Sequence, residues 1–157
     1  MTKILGKAFC IIEQSEKYAA IDEVIGNCTV FSDLPSIPSF TDAVHKREME
    51  MSTGVGHGVA IAHGKIPGLI STHVALGLSE QGIDYDDGNA EPVHFLFVLA
   101  SSPECQADYL QTVSSILSWM HDPEFRELFM NDRSSDAVRT FLSMLSAQDF
   151  SPQPKAL

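Results

Sequence analysis

The chain of 157 residues has the size of one compact domain, and its 44% hydrophobic and 20% charged residues are typical of a globular protein. A formal charge of -11 at pH 7 repels nucleic acid and anionic membrane surfaces, so neither is expected as a partner. No apolar stretch approaches the roughly 18 residues of a spanning helix, so we expect no membrane insertion. Three widely spaced cysteines without a CxxC pair predict buried thiols in a reducing compartment, and hence a cytoplasmic location.

The N-terminal third predicts one short strand followed by two helices. The apolar residues 8–12 fit an edge strand, and Ser15 is a candidate N-cap for a first amphipathic helix. The apolar positions of that helix are Tyr18, Ile21, Val24, Ile25 and Cys28. After a proline-containing loop, either Ser39 or Thr41 can cap a second helix, which carries Arg47.

Three apolar runs of strand length occupy the middle of the chain, at residues 59–62, 74–78 and 93–100. Segments with Gly, Pro, Asp and Asn separate them. The last run is the most hydrophobic, so we expect it at the centre of a sheet. Strands in the middle and helices at both ends predict an α/β fold built on a single sheet.

Helical periodicity begins at about residue 107. The predicted core face of this helix consists of Leu110, Val113, Ile116, Leu117 and Met120. Two shorter helices are expected at residues 124–130 and 135–145. The domain is therefore expected to span residues 1–148, and the proline-containing residues 149–157 are expected to form a flexible C-terminal tail.

The most unusual segment is STGVGHGVAIAHGK, residues 52–65, in which a glycine-rich turn and a short apolar strand precede His63. A side chain at a strand end that opens into a loop is rigidly held and accessible to a partner. Neutral imidazole is a good nucleophile near pH 7, because its reference pKa of about 6.5 leaves one ring nitrogen free. Gly64 leaves room for loop N–H groups to approach phosphoryl oxygens, and Arg47 and Lys65 are candidates for the positive charge that phosphoryl transfer needs.

No ATP-binding motif accompanies His63. The pattern GxxxxGK[ST] is absent, and so is a kinase-like set of lysine, catalytic aspartate and metal-binding asparagine. A phosphoryl group on His63 would therefore come from a protein donor.

The run RExxMSTGVGHGVAIAHGK resembles the fructose/mannitol-type enzyme IIA domains of the bacterial phosphoenolpyruvate-dependent phosphotransferase system, including the nitrogen-regulatory members. The residues that carry the resemblance are Arg47, Glu48, Ser52, Thr53, Gly54 and His63. The resemblance extends over roughly residues 15–145. It implies a single mixed β-sheet with helices on both faces, and neither a metal nor an organic cofactor is expected.

The resemblance also implies a role for individual residues. His63 is expected to accept the phosphoryl group from HPr, the small histidine carrier, or from its nitrogen-branch relative. Arg47 is expected to stabilise the phosphoryl group. The phosphoryl group then passes to a IIB protein or serves as a regulatory signal that changes affinity for a target protein.

Two positions depart from the family pattern. The family usually has proline before the active histidine, whereas this chain has Ala62. The family often has a second histidine at the start of the helix after the last strand, and Tyr109 matches that position. A tyrosine hydroxyl can donate a hydrogen bond to a phosphoryl oxygen but cannot carry positive charge, so Tyr109 is a candidate second-site partner. Besides phosphoryl transfer to a IIB protein and regulation of a target protein, a third hypothesis is a degenerate domain that has lost phosphorylation.

The remaining histidines have less specific surroundings. His57 lies among glycines before the strand, where it is either a solvated loop residue or part of a phosphate-binding loop with Gly64. No ligand-like spacing relates the other four, so we expect no metal site; they are His45, His73, His94 and His121.

Overall fold

A computed structural model describes residues 6–86 and 91–154. The strands in these ranges are β1 (Phe9–Ile11), β2 (Gly54–Gly56), β3 (Val59–Lys65), β4 (His73–Ile83) and β5 (Val93–Ser101). The α-helices are α1 (Lys17–Asn27), α2 (Ile37–Glu50), α3 (Gln106–Met120), α4 (Pro123–Asn131) and α5 (Asp136–Ala147). None of these helices is long and apolar enough to cross a membrane.

The strands form one mixed sheet in the order β1-β4-β5-β3-β2. β5 lies at its centre and pairs antiparallel with β4 and parallel with β3. Almost every residue of β5 is buried, which accounts for its continuous hydrophobic run. The predictions of a single mixed sheet and of a central last strand are therefore confirmed.

Helices cover both faces of the sheet, as expected. A Cβ on Gly64 would meet Val44 of α2 at 2.9 Å, whereas the ring of the preceding His63 lies against Tyr109 of α3. Successive side chains of a strand point to opposite faces, so α2 and α3 lie on opposite sides of β3. The α3 face continues into an aromatic cluster in which α3, α4, α5 and β5 meet, formed by Phe97, Trp119, Phe125, Phe129 and Phe141.

Neither predicted N-cap was correct: the cap of α1 was predicted too early in the chain, and the cap of α2 too late. α1 is capped by Glu16 rather than Ser15, because the Glu16 carboxylate reaches the amides of Tyr18 (3.0 Å) and Ala19 (2.9 Å). α2 begins at Ile37 with Ser36 as its cap, ahead of the predicted Ser39 or Thr41. The cause is Pro38, whose fixed backbone angle fits the first turn of a helix, where its missing N–H is not needed.

The three central strands are longer than predicted, β1 is shorter than residues 8–12, and β2 was not predicted. β3 continues to Lys65, so His63 lies within a strand and not at its end. β2 has the sequence GVG and pairs antiparallel with the start of β3, but two glycines in three residues give no strand signal.

The predicted core face of α3 was wrong in part. Leu110 and Leu117 are 58% and 39% exposed. The buried residues of α3 are Thr112, Ser115, Ile116, Trp119 and Met120. Thr112 bonds to the Asp108 carbonyl within the helix, whereas Ser115 and Trp119 face an acceptor in the segment after α5.

That segment was expected to be a flexible tail, and its described part is instead bonded to α3. The carbonyl oxygen of Ser151 accepts hydrogen bonds from Ser115 Oγ (2.6 Å) and from the indole Nε1 of Trp119 (2.9 Å). The amide of Gln153 donates to Ser118 Oγ at 2.9 Å. Residues 155–157 lie outside the described ranges.

The contact between α2 and β3 at Gly64 gives a stability prediction. In Gly64→Ala the new methyl group meets both the side chain and the backbone amide of Val44 at 2.9 Å, so α2 must move. We expect a loss of roughly 1–3 kcal/mol in the free energy of unfolding, measured by urea denaturation. Gly26→Ala is the matched control, because it lies in α1 with no atom within 4 Å, and there alanine should stabilise the helix. Equal stabilities for the two variants would contradict this account of the contact.

Candidate functional site

The half-buried ring of His63 lies near the C-terminal end of β3, on the face covered by α3. The ring of Tyr109, in the first turn of α3, lies against it with 5.6 Å between centroids and 53° between planes. The structure thus brings together His63 and Tyr109, two of the residues selected from the sequence, although 46 positions separate them in the chain.

A backbone carbonyl determines which nitrogen of His63 is free. Nδ1 of His63 lies 3.1 Å from the carbonyl oxygen of Ile61, which can only accept a hydrogen bond. The proton is therefore assigned to Nδ1, and Nε2 keeps its lone pair. This interaction fixes the tautomer of the neutral ring, in which the nucleophilic nitrogen is Nε2.

The electrostatic surroundings favour the same uncharged form. Burial lowers the pKa of His63 below its usual 6.5, the hydrogen bond to Ile61 opposes that shift, and Arg47 lowers the pKa further. Glu48 raises the pKa and Lys65 lowers it, each to a smaller extent. Because the lowering effects prevail, His63 is unprotonated and nucleophilic at neutral pH.

Arg47 has the larger effect on His63 of the two cations that act on it. It lies in the last turn of α2, and its Nη1 donates to the carbonyl oxygen of Met51 at 2.8 Å. Its charge acts on His63 and also on Tyr109, where it partly offsets the rise in pKa that burial causes. Tyr109 therefore keeps its hydroxyl proton at neutral pH and can donate a hydrogen bond. The rings of His63 and Tyr109 are thus in contact, and the charge of Arg47 acts on both.

Glu48 was part of the sequence motif but was given no role. Its side chain is buried and accepts hydrogen bonds from Lys17 Nζ (3.2 Å), Tyr85 Oη (3.0 Å), Thr53 N (3.0 Å) and Thr53 Oγ1 (2.5 Å). The carbonyl oxygen of Thr53 in turn accepts a hydrogen bond from the amide of Ile61 at 3.1 Å. The sequence signal for a role of Glu48 was its charge next to a candidate arginine. The sequence did not indicate which residues would donate hydrogen bonds to it.

Gly64 does not form the predicted phosphate-binding loop, because it lies inside β3 and pairs with Ala100 of β5. The amide of Ile61 faces Thr53 of the β2 segment and that of Ile66 faces Ser101 of β5, so amides alternate between the two sides. By this alternation the N–H of Gly64 faces β5. By the same alternation the amides of His63 and Lys65 face away from β5, on the side where the described β2 strand is paired only with Val59 and Ala60.

His57 is not part of the site. It occupies the turn between β2 and β3 with a φ of 58°, and its ring lies 6.4 Å from that of His121. Four residues of strand, Val59 to Ala62, separate this turn from His63 by about 13 Å. A positive φ flanked by glycines identifies His57 as a turn residue.

Other histidines have structural partners within the described part of the chain. His45 pairs with Asp22 at 2.7 Å, and His73 lies 3.3 Å from Asp33. No cluster of three or more His, Cys, Asp or Glu side chains suited to a metal ion occurs among the described residues.

Comparison with known proteins gives this site a family. Residues 8–144 match the family described as phosphoenolpyruvate-dependent sugar phosphotransferase system, EIIA 2, and the chain belongs to that family. It is 30% identical over 127 residues to the PTS system fructose-specific EIIABC component of Bacillus subtilis, which covers 81% of this chain. The chain spans only 20% of the length of that relative.

Two solved structures share the fold. The nitrogen regulatory protein IIA-Ntr from Neisseria meningitidis superposes with a TM-score of 0.71 at 21% identity, covering 87% of this chain and 91% of that one. The complex of enzyme IIA-Mtl and phosphorylated enzyme IIB-Mtl from Escherichia coli matches with a TM-score of 0.68 at 15% identity, covering 94% and 99%. The expected resemblance, to both the fructose/mannitol and the nitrogen-regulatory branches, is confirmed.

The electrostatics of the site can be tested by titration. In Arg47→Met we expect the pKa of His63 to rise, because the guanidinium no longer opposes protonation. The measurement is the pH dependence of the His63 ring resonances in NMR spectra. Arg139→Met, at an exposed position of α5, is the control and should leave the His63 titration unchanged. An unchanged titration in Arg47→Met would show that Arg47 does not act on the imidazole.

Proposed function

We propose that this protein is a phosphocarrier in which Nε2 of His63 accepts a phosphoryl group from the phosphohistidine of an HPr-like protein. The observation that carries the proposal is the hydrogen bond from Nδ1 to the Ile61 carbonyl, which leaves Nε2 free on an uncharged ring. Membership of the EIIA family supports it, since the phosphotransferase system of the family name is driven by phosphoenolpyruvate.

The transfer exchanges one N–P bond for another. The lone pair of His63 Nε2 forms the new bond to phosphorus, and the electron pair of the broken N–P bond returns to the donor ring. A donor ring protonated on its second nitrogen then leaves as neutral imidazole. The proton on His63 Nδ1 stays in place on the Ile61 carbonyl. The ring of His63 becomes positively charged while the phosphoryl oxygens stay negative.

Arg47, Tyr109 and two backbone amides are placed to hold that phosphoryl group. Arg47 supplies positive charge, which stabilises the transferring phosphoryl oxygens. The Tyr109 hydroxyl supplies a hydrogen-bond donor in the place of a histidine. The amides of His63 and Lys65 face the same open edge of β3. Lys65 also contributes charge, because it lies near enough to His63 to lower the pKa of its ring.

The surface around His63 suits transient docking of protein partners. Leu110 follows Tyr109 in α3 and is 58% exposed, and Met51, which binds Arg47 through its carbonyl, is 71% exposed. Exposed apolar side chains beside a polar site are typical of a protein interface. We propose an HPr-like donor on this surface and, by analogy with the complex from Escherichia coli, a IIB protein as acceptor. Such partners place the protein in the cytoplasm.

A regulatory role is the second candidate. The similarity to a nitrogen regulatory protein supports it. In this role phosphorylation of His63 adds negative charge to the apolar docking surface and so changes its affinity for a target protein. Both roles need a phosphorylatable His63. The contact of His63 with Tyr109 and the free Nε2 argue against a degenerate domain that has lost the reaction.

Phosphorylation is tested by passing labelled phosphate from phosphoenolpyruvate through enzyme I and HPr to the purified protein. We expect acid-labile label on the unsubstituted protein, none on His63→Ala, and slower labelling of Arg47→Ala, by roughly 100-fold for the loss of one charged transition-state partner. His57→Ala is the matched histidine control and should label at the unsubstituted rate. Full labelling of His63→Ala would exclude the assigned site, and absence of label on the unsubstituted protein would exclude the phosphocarrier function.

Tyr109 gives a separate prediction about the second-site partner. Tyr109→Phe keeps the ring contact with His63 and removes the hydroxyl, so we expect labelling about 3-fold to 10-fold slower for one lost hydrogen bond. Tyr109→His should label faster than the unsubstituted protein, because a protonated imidazole can add charge to the site. The measurement is the initial labelling rate at limiting HPr. Equal rates in Tyr109→Phe and the unsubstituted protein would remove the hydroxyl from the mechanism.

A further inference from the structure

The buried carboxylate of Glu48 takes no part in the transfer step itself. Its side chain has no exposed surface and it accepts hydrogen bonds from Lys17, Tyr85 and, twice, Thr53. Four donors satisfy the acceptor sites of an ionised carboxylate. Burying such an ion pair adds little net stability compared with apolar side chains of similar volume. Stability alone therefore gives no reason for a charge at this position.

Three successive hydrogen bonds lead from Glu48 to the active ring. Glu48 Oε2 accepts the amide of Thr53 at 3.0 Å, and the Thr53 carbonyl accepts the amide of Ile61 at 3.1 Å. The Ile61 carbonyl then holds Nδ1 of His63, also at 3.1 Å. Glu48 thereby fixes the segment between α2 and β2, and that segment fixes the strand residue that orients the ring.

The charged and titratable groups that face His63 come from three elements. Arg47 and Glu48 lie on α2, Lys65 on β3 and Tyr109 on α3. Burial, Arg47 and Lys65 all lower the pKa of His63, whereas Glu48 raises it. Glu48 is the one anion among the described residues that acts on the ring, and it offsets two cations, Arg47 and Lys65. Its loss would make the imidazole less basic and therefore a weaker nucleophile.

We propose that Glu48 is a positioning residue for phosphoryl transfer, which orients His63 through Thr53 and Ile61 and offsets the charge of Arg47 at the imidazole. The part of this inference that concerns transfer rests on the proposed function. The part that concerns the ring holds for His63 in the unphosphorylated protein and is measurable without any partner.

The test substitutes Glu48→Gln, which keeps the size of the side chain and removes its charge. We expect a lower His63 pKa in NMR titration and labelling from phospho-HPr slowed by about 10-fold or more, since small misplacements of a reacting group are costly. Tyr85→Phe is the matched control, because it removes one donor from the same carboxylate and leaves the charge. It should lose stability without lowering the His63 pKa.

The outcomes separate this inference from the proposed function. An unchanged His63 pKa and labelling rate in folded Glu48→Gln would overturn the positioning role and leave the phosphocarrier intact. A lowered pKa, with no label on the unsubstituted protein, would support the electrostatic effect and exclude the phosphocarrier. If the pKa of His63 fell equally in Tyr85→Phe, the role of Glu48 would be structural only, and the inference would be overturned.

A second variant applies if Glu48→Gln does not fold. Lys17→Met removes the cation that neutralises Glu48 and leaves the carboxylate in place. We then expect the pKa of His63 to rise, because the unneutralised carboxylate favours the protonated ring. An unchanged His63 pKa in Lys17→Met would overturn the inference.

Discussion

The free edge of β3 is the constraint on which the site depends. His63 points to the α3 face of the sheet, whereas Arg47 and Glu48 come from α2 on the other face. Both charges act on the ring. The described β2 strand starts at Gly54, opposite Ala60, so the half of β3 that carries His63 has no partner residue in β2. Close packing at Gly64 brings α2 near enough to reach around this edge. A longer β2 would pair the amides of His63 and Lys65 and separate the two faces.

Three residues predicted from the sequence, His63, Arg47 and Tyr109, influence one another in the structure. The rings of His63 and Tyr109 are in contact, and the charge of Arg47 acts on both. The Ile61 carbonyl, which orients the ring, could not be predicted, because a backbone group has no residue-type signal. Gly64 was misassigned since a glycine beside a histidine fits either an anion-binding turn or a close helix contact, and only the three-dimensional packing distinguishes them. His57 was wrongly predicted to lie near His63. The two are close in sequence, but the extended strand between them holds them apart.

The fold was predicted at the level of its layers and less well at its boundaries. Hydrophobic runs located three strands and the central one among them, because burial on both faces leaves a continuous apolar signal. The buried face of α3 differs from the predicted one, because Ser115 and Trp119 are buried against Ser151, which follows α5 in sequence. Leu110, predicted in the core, is therefore part of the surface beside Tyr109.

The Ser151 carbonyl also ties the segment after α5 to the core. A cut after residue 148, at the end of the last helix, would remove the acceptor of the Trp119 indole and of the Ser115 hydroxyl. Two buried donors would then lose their partner inside an otherwise complete core, which costs more than the loss of an exposed bond. Six residues without regular structure thus belong to the domain. A fusion or excised form that retains residues 149–154 keeps this acceptor, whereas one cut at the helix boundary loses it.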